Sequence, residues 1–255
     1  RGGGRMTDLR EYETWAKTKP YAARVDATKR EIEKAARLGR MVISTSWGKD
    51  SIALLDVVIE VLGHVEAMHL ASTYALPGSE HVKEHFAARC IVHEVPSAMP
   101  LAELVEWLQE NGLGYERTRV RGAGKKRKAS SGIGWAKEHG YTVQALGMRA
   151  EESNGRRTCF RVRGLTYPAH GLTITNPIGW WTVKDTWARI ASRGLPYPSL
   201  YDKETHGETR ETLRNSGWLT VPSAQVDSRV SWLRVHYPAQ YEALVAAFPQ
   251  TGLLG

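Results

Sequence analysis

The run Ser46-Trp47-Gly48-Lys49-Asp50-Ser51 has residue types and a spacing that suit the binding of a nucleotide phosphate. Serine hydroxyl groups can donate hydrogen bonds to phosphate oxygens, and Gly48 lets the backbone come close to a bulky anion. Lys49 adds a full positive charge. An ordinary turn rich in serine and glycine has a similar composition, and the spacing is neither that of a Walker loop nor that of a dinucleotide fold.

The elements on either side place this run where a phosphate could be held. Met41, Val42 and Ile43 are typical of a buried strand. After Asp50 the apolar residues recur at helical spacing, so the run lies at the N-terminus of a helix. The unpaired N–H groups and partial positive charge of such an end suit an anion. The apolar positions of this helix are Ile52, Leu54, Leu55, Val58, Ile59 and Leu62.

A second cluster of polar residues follows another predicted strand, Tyr141–Leu146. Gly147 permits a tight exit from this strand, while Arg149 and Arg156 offer planar forks for phosphate or sulfate oxygens. Glu152 can hold an arginine in position. Arginines on a solvent-exposed face are the alternative. Because the cluster comes at the end of a strand, we favour a functional site.

Both clusters resemble motifs of one protein superfamily. Ser46–Ser51 is similar to the S-G-G-x-D-S loop of the N-type ATP pyrophosphatases, in the adenine nucleotide alpha-hydrolase-like superfamily, although Trp47 stands at the first glycine. Gly147–Arg156 fits G-[LIM]-R-x-x-E-S-x-x-R, a signature of the sulfonucleotide (phosphoadenosine phosphosulfate) reductase branch. Residues 177–202 resemble a third motif of that branch, and residues 71–80 resemble a fourth more weakly.

Strand and helix signals alternate through the middle of the chain, which predicts a doubly wound, mostly parallel sheet with helices on both faces. The resemblance implies the same fold, that of the adenine nucleotide alpha-hydrolases. We predict four segments. Residues 1–5 are a vector-derived remnant, 6–40 an N-terminal helical segment, 41–202 the nucleotide-binding α/β domain and 203–255 a helical C-terminal extension.

The resemblance implies roles for individual residues. Lys49, Arg149 and Arg156 would be catalytic, because cations can neutralise charge at a reacting phosphate. Asp50 would orient the loop or hold Mg²⁺. The residues predicted to bind the nucleotide are Ser44, Ser46, Trp47, Gly48, Lys49, Asp50, Ser51, Ser72, Thr73, Gly147, Arg149 and Glu152.

The chemistry that the superfamily implies is the splitting of ATP between its alpha and beta phosphates, which adenylates an acceptor. A nucleic-acid base or its precursor is the acceptor that we favour, and ATP (or a sulfonucleotide) with Mg²⁺ is the predicted cofactor. Sulfonucleotide reductases use a cysteine near their end, but no cysteine lies between Phe160 and Gly255. Two alternatives stay open: a phosphoadenosine phosphosulfate reductase that uses an external thiol, and a non-catalytic module that binds nucleotide or nucleic acid.

The two cysteines, Cys90 and Cys159, show no C-x-x-C spacing, which predicts a reducing compartment. We expect no disulfide, no iron–sulfur cluster and no zinc site. Cys90 begins an apolar run and is expected to be buried. Cys159 lies among arginines and is expected to be the more reactive thiol.

Residues 117–128 hold seven positive charges and no acidic residue. Such a stretch can bind a polyanion, because each neutralised phosphate releases counterions. It is also what a solvated basic face looks like. The predicted polyanion contacts are Lys125, Lys126, Arg127, Lys128 and Arg210, and nucleic acid is the partner that they suggest.

Size and composition bound the remaining functions. The chain has 255 residues, a formal net charge of +8 and 42% hydrophobic residues, which suit one or two domains with a substantial core. No run is long and apolar enough to span a membrane, and the sequence shows no export signal. We therefore predict a cytoplasmic protein. The helices expected over 226–248 would pack on the domain or form a homodimer surface.

Overall fold

The structure is a computed structural model that describes residues 9–71, 76–96, 132–203, 210, 211, 213, 215 and 226–247. A mostly parallel sheet forms the centre of the protein. The strand order is β3-β2-β1-β4-β6-β5, and only the pairing of β5 with β6 is antiparallel among these six strands. The strands are β1 (Met41–Thr45), β2 (Glu66–Leu70), β3 (Ile91–Val95), β4 (Val143–Leu146), β5 (Thr166–Ala169) and β6 (Leu172–Thr175).

Helices connect these strands and cover the sheet. The described helices are α1 (Arg10–Ala16), α2 (Lys19–Ala36), α3 (Lys49–Leu62), α4 (Glu80–Ala87), α5 (Gly132–Glu138), α6 (Asn154–Arg163), α7 (Val183–Arg193), α8 (Val226–His236) and α9 (Pro238–Ala247), with 3₁₀ turns at Ala150–Glu152 and Ser199–Asp202. In the part of the chain that the structure describes, no helix combines the length and apolar character that a membrane span requires.

The two faces of the sheet pack against separate apolar clusters. Ile43 on β1 joins the larger cluster, which includes residues of α3 and α7 such as Ile52 and Trp187. Its neighbour Val42 points to the other face and joins a smaller cluster with Ala136 of α5. Burial on both faces is typical of a parallel sheet between helices. The predicted fold class, a doubly wound and mostly parallel α/β sheet, is confirmed.

Several boundaries differ from those expected from the sequence. Strand β4 begins at Val143 rather than at Tyr141. The long helix of the N-terminal segment, α2, begins at Lys19, because the Thr18 side chain accepts a hydrogen bond from the Tyr21 amide and caps it. Strand β5 was not predicted. Helix α7 begins with a capping box, since the Thr182 and Asp185 side chains each accept a hydrogen bond from the other's amide.

The topology brings two distant segments to one edge of the sheet. Strands β1 and β4 are parallel neighbours, with Ser44 in register with Leu146. The carboxyl ends of parallel strands meet at the same edge of a sheet, where ligands of such folds bind. The segments that follow the two strands, beginning at Ser46 and Gly147, are therefore adjacent.

Candidate functional site

The loop Ser46–Ser51, called here the phosphate loop, joins β1 to α3 at the carboxyl edge of the sheet. Gly48 is the N-cap residue of α3, a helix of 14 residues, and the first intrahelical bond runs from the Ile52 amide to the Gly48 carbonyl oxygen (3.0 Å). The amide groups of Asp50 and Ser51 precede that bond. They form the positive end of the helix dipole, which is the part of a helix that attracts phosphate.

Two hydroxyl groups fix the shape of this loop from within. The Ser51 hydroxyl donates to the Gly48 carbonyl oxygen (2.9 Å) and accepts from the Ser46 amide (3.3 Å). The Thr45 hydroxyl lies 3.3 Å from Ser51 Oγ and accepts from the Trp47 amide (3.1 Å). Ser51, predicted to bind the nucleotide directly, thus also bonds inside the loop.

The Trp47 side chain points into the core. It is 1% exposed and packs against the rings of His69 and Phe86, with centroid distances of 5.5 and 6.2 Å. Its φ of 55° lies in the left-handed region, which glycine adopts more readily than other residues. The glycine that the S-G-G-x-D-S motif has at this position could adopt the same backbone conformation without strain. The sequence predicted Trp47 among the nucleotide-binding residues. In the structure its indole lies in the core and not on the face that is predicted to bind the nucleotide.

Residues from the C-terminal part of the chain close over the phosphate loop. Lys49 is buried, and its Nζ donates to the Leu213 carbonyl oxygen (2.7 Å) and lies 3.7 Å from Asp50 Oδ2. The Lys49 amide donates to the Tyr201 hydroxyl (3.2 Å), and Asn215 Nδ2 donates to the Ser46 carbonyl oxygen (2.8 Å). Sequence reasoning missed these contacts of Leu213 and Asn215, because no local pattern marks them.

Arg149 links the segment Gly147–Arg156, called here the second signature, to the phosphate loop. Its Nε donates to Asp50 Oδ1 (2.7 Å) and its Nη1 to Glu151 Oε2 (2.5 Å), while the Thr186 hydroxyl also donates to Asp50 Oδ1 (3.2 Å). The backbones approach closely here as well, since a Cβ built on Gly147 would lie 3.1 Å from the Asp50 carbonyl carbon and oxygen. Two motifs 99 residues apart thus form a single site.

Glu152 organises the start of α6. Its Oε2 accepts a hydrogen bond from the Arg149 amide (3.0 Å) and forms an ion pair with Arg156. The Ser153 hydroxyl caps the helix by accepting from the Arg156 amide (3.2 Å). At the base of the site, the Ser44 hydroxyl accepts a hydrogen bond from Gln144 Nε2 (2.8 Å).

The charges of the site nearly balance. Its three cationic side chains, Lys49, Arg149 and Arg156, face three carboxylates at Asp50, Glu151 and Glu152. The carboxylates hold the guanidinium groups in fixed positions, so an anion bound here would meet prearranged donors rather than mobile side chains. Glu151, which sequence reasoning missed, also accepts from the Val183 amide (2.7 Å) and so joins the site to α7.

The predicted polyanion contacts are placed only in part. Lys125, Lys126, Arg127 and Lys128 lie outside the described residues, as do Ser72 and Thr73. Arg210 is buried and not exposed on the surface. Its guanidinium pairs with Asp202 and stacks over the rings of Trp187 (4.8 Å) and Tyr197 (5.4 Å). A contact between Arg210 and a polyanion would require this arrangement to open.

The surroundings of Asp50 do not fit Mg²⁺. Its carboxylate already meets Lys49, Arg149 and Thr186, and two cations beside it would repel a third. Among the described residues, no group of three or more histidine, cysteine, aspartate or glutamate side chains could hold a metal ion. The prediction that Asp50 binds Mg²⁺ is therefore not supported.

The two thiols differ in environment. Cys90 is buried, its Sγ donates to the Phe86 carbonyl oxygen (3.2 Å), and burial raises the pKa of its thiol. It is thus a poor nucleophile at neutral pH. Cys159 is half-buried on α6, three residues after Arg156.

The sequence of this chain is similar to a family model and to two curated proteins that are all named for sulfonucleotide reductases. The family model for the phosphoadenosine phosphosulfate reductase domain matches residues 40–238. A phosphoadenosine 5′-phosphosulfate reductase of Gloeobacter violaceus is 26% identical over 170 residues, which are 64% of this chain and 66% of that protein, just under two thirds of its length. An adenosine 5′-phosphosulfate reductase of a Geobacillus species is 27% identical over 208 residues, covering 75% of this chain and 83% of that protein.

Two solved structures show a more distant likeness. A phosphoadenylyl-sulfate reductase from Candida auris, in complex with phosphate, has a TM-score of 0.48 and 14% identity over 71% of this chain and 86% of that one. The U34-tRNA thiolase NcsA of Methanococcus maripaludis, with its [4Fe-4S] cluster, has a TM-score of 0.46 and 12% identity over 91% of this chain and 80% of that one.

These findings correct the cofactors predicted from the sequence, which were ATP (or a sulfonucleotide) with Mg²⁺ and without an iron–sulfur cluster. Both curated relatives are named for sulfonucleotides rather than for ATP, and the Asp50 carboxylate is already paired with the cations of Lys49 and Arg149. The physical reason for the error lies in the phosphate loop. A helix N-terminus with a lysine binds phosphate oxygens of any nucleotide, so the loop sequence alone does not distinguish ATP from a sulfonucleotide.

Proposed function

Because this chain belongs to the phosphoadenosine phosphosulfate reductase domain family, we propose that it binds an adenosine sulfonucleotide at the phosphate loop. We further propose that the sulfo group (SO₃) of this nucleotide is transferred there to a thiol that another molecule supplies. The observation that carries the proposal is the 2.7 Å contact between Arg149 and Asp50, which unites the phosphate loop with the second signature.

The donors of the site suit a ligand with two adjoining anionic groups. The Asp50 and Ser51 amides would hold the 5′-phosphate, because they lie at the positive end of α3. The Lys49 ammonium, which the Leu213 carbonyl oxygen and Asp50 hold in place, would add a positive charge beside it. Arg156 at the start of α6 would meet the sulfate oxygens, since a guanidinium matches their spacing. Arg149, which two carboxylates hold, positions the phosphate loop and is not itself free to follow the ligand.

The proposed reaction needs a thiolate and a second thiol. The thiolate sulfur attacks the sulfate sulfur, the bond from that sulfur to the phosphate oxygen breaks, and the nucleotide leaves with both bonding electrons. The donor then carries an S-sulfonate. A second thiol attacks the sulfur of the donor, which releases sulfite and leaves a disulfide, so the two thiols are oxidised as the sulfate is reduced.

The positions of the cysteines in this sequence favour a reaction in which another molecule supplies the thiols. Between Phe160 and Gly255 there is no cysteine, and Cys90 is buried with its thiol bonded to a backbone carbonyl. Cys159 is then the one half-buried thiol of this sequence, whereas the reaction needs two thiols. A dithiol protein or a small dithiol would therefore supply the two electrons. Phosphate binding and positioning are what this chain contributes.

Titration calorimetry with phosphoadenosine phosphosulfate and with adenosine phosphosulfate tests the binding step. A sulfite assay with a dithiol reductant then tests the transfer. We expect binding of one of the two sulfonucleotides and dithiol-dependent release of sulfite, and we expect Lys49→Ala to weaken binding at least tenfold. Lys34→Ala is the matched control, because Lys34 is an exposed lysine at the end of α2.

Other outcomes would replace the proposal. Absence of binding by the folded protein would refute it, and binding without sulfite release would favour the non-catalytic module. Adenylation of an acceptor stays a prediction from the sequence. Release of pyrophosphate from ATP without any sulfite from the sulfonucleotides would support that prediction against ours.

A further inference from the structure

Helix α6 presents an arginine-rich surface beside the candidate site. Its ten residues, Asn154–Arg163, include four arginines and no aspartate or glutamate. Arg156 pairs with Glu152, and Arg163 donates to the Pro168 carbonyl oxygen while stacking over Tyr167 (4.2 Å). Arg157 and Arg161 are exposed, and neither forms an ion pair with any residue that the structure describes.

An exposed tryptophan is fixed to the same helix. Trp180 is 46% exposed, and its ring meets that of Phe160, the buried residue of α6, edge to face at a centroid distance of 6.1 Å. Phe160 lies between Arg157 and Arg161 in the sequence, one helical turn or less from each. A large aromatic ring therefore lies in contact with the helix that carries the two arginines.

This surface is continuous with the candidate site. The Ala150 amide, between Arg149 and Glu151, donates to the Gly179 carbonyl oxygen (2.8 Å), so the turn that bears Trp180 is bonded to the second signature. Ser153, which caps α6, directly follows Glu152. A ligand lying along α6 would thus have one end at the site.

The chemistry of the surface matches a single-stranded nucleic acid. Arg157 and Arg161 are one turn apart, about 6 Å along the helix axis. Two successive steps of a stacked strand advance by about 7 Å, so the two guanidinium groups can each meet a phosphate. An exposed indole accepts an unpaired base by stacking, which a duplex with paired bases does not offer.

We propose that Arg157, Arg161 and Trp180 form a docking surface for single-stranded nucleic acid, with phosphates on the arginines and a base stacked on the tryptophan. The proposal is independent of the sulfonucleotide chemistry, because none of these three side chains is needed for the phosphate loop. It differs from the polyanion contact predicted for residues 117–128, in which no aromatic residue is interleaved.

Fluorescence anisotropy with a labelled single-stranded RNA and its DNA equivalent, over a range of salt concentrations, tests the proposal on the full chain. We expect Arg157→Ala/Arg161→Ala to weaken binding at least tenfold and to reduce the slope of log K against log salt by about 1.4, or about 0.7 per phosphate. Trp180→Ala should weaken binding about fivefold or more and leave the slope unchanged, because stacking releases no counterions.

The matched control is Arg30→Ala/Lys34→Ala, which removes two exposed cations one turn apart on α2. It should change the affinity less than twofold. Sulfonucleotide titration of the α6 variant should match that of the parent chain, which separates this proposal from the proposed function. Circular dichroism checks that each variant folds, and Arg157→Lys/Arg161→Lys should keep the parental slope.

Three results would overturn the proposal. They are no binding of single strands by the parent chain, tighter binding of a duplex than of either strand, and variants of α6 and Trp180 that bind like the parent. In the last case Lys125→Ala/Lys126→Ala, made in parallel, would identify the basic stretch as the contact. Binding of an acidic protein that Arg157→Ala/Arg161→Ala abolishes, without binding of single strands, would assign the surface to a protein partner.

Discussion

Arg149 Nε donates a hydrogen bond to Asp50 Oδ1 over 2.7 Å, which ties the segment after β4 to the first turn of α3. Arg149 is 4% exposed, so the contact lies almost out of water. It is therefore the link that makes two sequence motifs one site, and the stability of the site depends on both partners being charged.

A double-mutant cycle measures this link. Asp50→Asn and Arg149→Met should each lower the free energy of unfolding by about 2–4 kcal/mol, because each leaves a charged partner poorly compensated. The double variant should cost about 1–2 kcal/mol less than the sum of the two. Urea denaturation gives these values. The exposed pair Lys184–Glu11 is the control, with an expected coupling below about 1 kcal/mol, and strict additivity at Asp50 and Arg149 would contradict the link.

Gly147 tests how closely the two segments must approach. In Gly147→Ala the new Cβ would lie 3.1–3.2 Å from backbone atoms of Asp50 and Ser51, which do not move aside easily. We expect a loss of about 1–3 kcal/mol in stability and weaker sulfonucleotide binding. Gly155→Ala is the control, since nothing lies within 4 Å of its new Cβ on α6. Equal stability of the two variants in urea denaturation would refute the close approach.

Much of this site could be predicted from the sequence, because its two motifs are local. The strand before Ser46, the helix after it and the polar run at Gly147 each follow from residue types over a dozen positions. The contacts of Lys49 with Leu213 and of Ser46 with Asn215 could not be predicted in this way. They join residues more than 160 positions apart, and a lone leucine or asparagine gives no sign of its partner.

The direction of the Trp47 side chain was also beyond the sequence. A tryptophan in a phosphate loop could face the ligand or the core, and only the backbone conformation decides which. With φ at 55°, the indole turns towards Phe86 and His69 under the sheet edge. The α6 surface was missed for a related reason: the signature motif ends at Arg156, so Arg157 and Arg161 were given no role, and Trp180 lies about twenty residues further along the sequence.

Acid should weaken the fold through Glu66. The hydrogen bond from the Tyr141 hydroxyl, together with Arg40 and His93, lowers the pKa of this carboxyl from 4.5 to about 2. A carboxyl whose pKa is lower in the folded than in the unfolded chain stabilises the fold at a pH above its unfolded-state pKa. That stabilisation is lost as the pH falls to its folded-state pKa. Stability should therefore fall between about pH 4.5 and about pH 2.

Glu66→Gln checks this pH dependence. Urea denaturation at several pH values should show a shallower decline across that window for the variant than for the parent chain. Glu33→Gln, at an exposed position of α2, is the control and should keep the parental profile. A parallel decline of the parent and Glu66→Gln would contradict the role given to this carboxyl.

At the position of Trp47, the usual order of stability of glycine and alanine substitutions should be reversed. Glycine is ordinarily less stable than alanine within a fold by about 0.5–1 kcal/mol. At the φ of 55° that Trp47 adopts, an alanine is strained by about 1–2 kcal/mol and glycine is not. Both substitutions empty the same buried space and should cost about 3–5 kcal/mol for the lost ring.

We therefore expect Trp47→Gly to be more stable than Trp47→Ala by about 1 kcal/mol in urea denaturation. Ala53→Gly, on α3, is the control in which alanine should be the more stable residue. Sulfonucleotide affinity should stay within about threefold of the parent in both Trp47 variants, since the indole points into the core. Greater stability of Trp47→Ala would show that the left-handed backbone conformation does not persist in the folded chain. A large loss of sulfonucleotide affinity in folded variants would show that the indole contributes to the binding site.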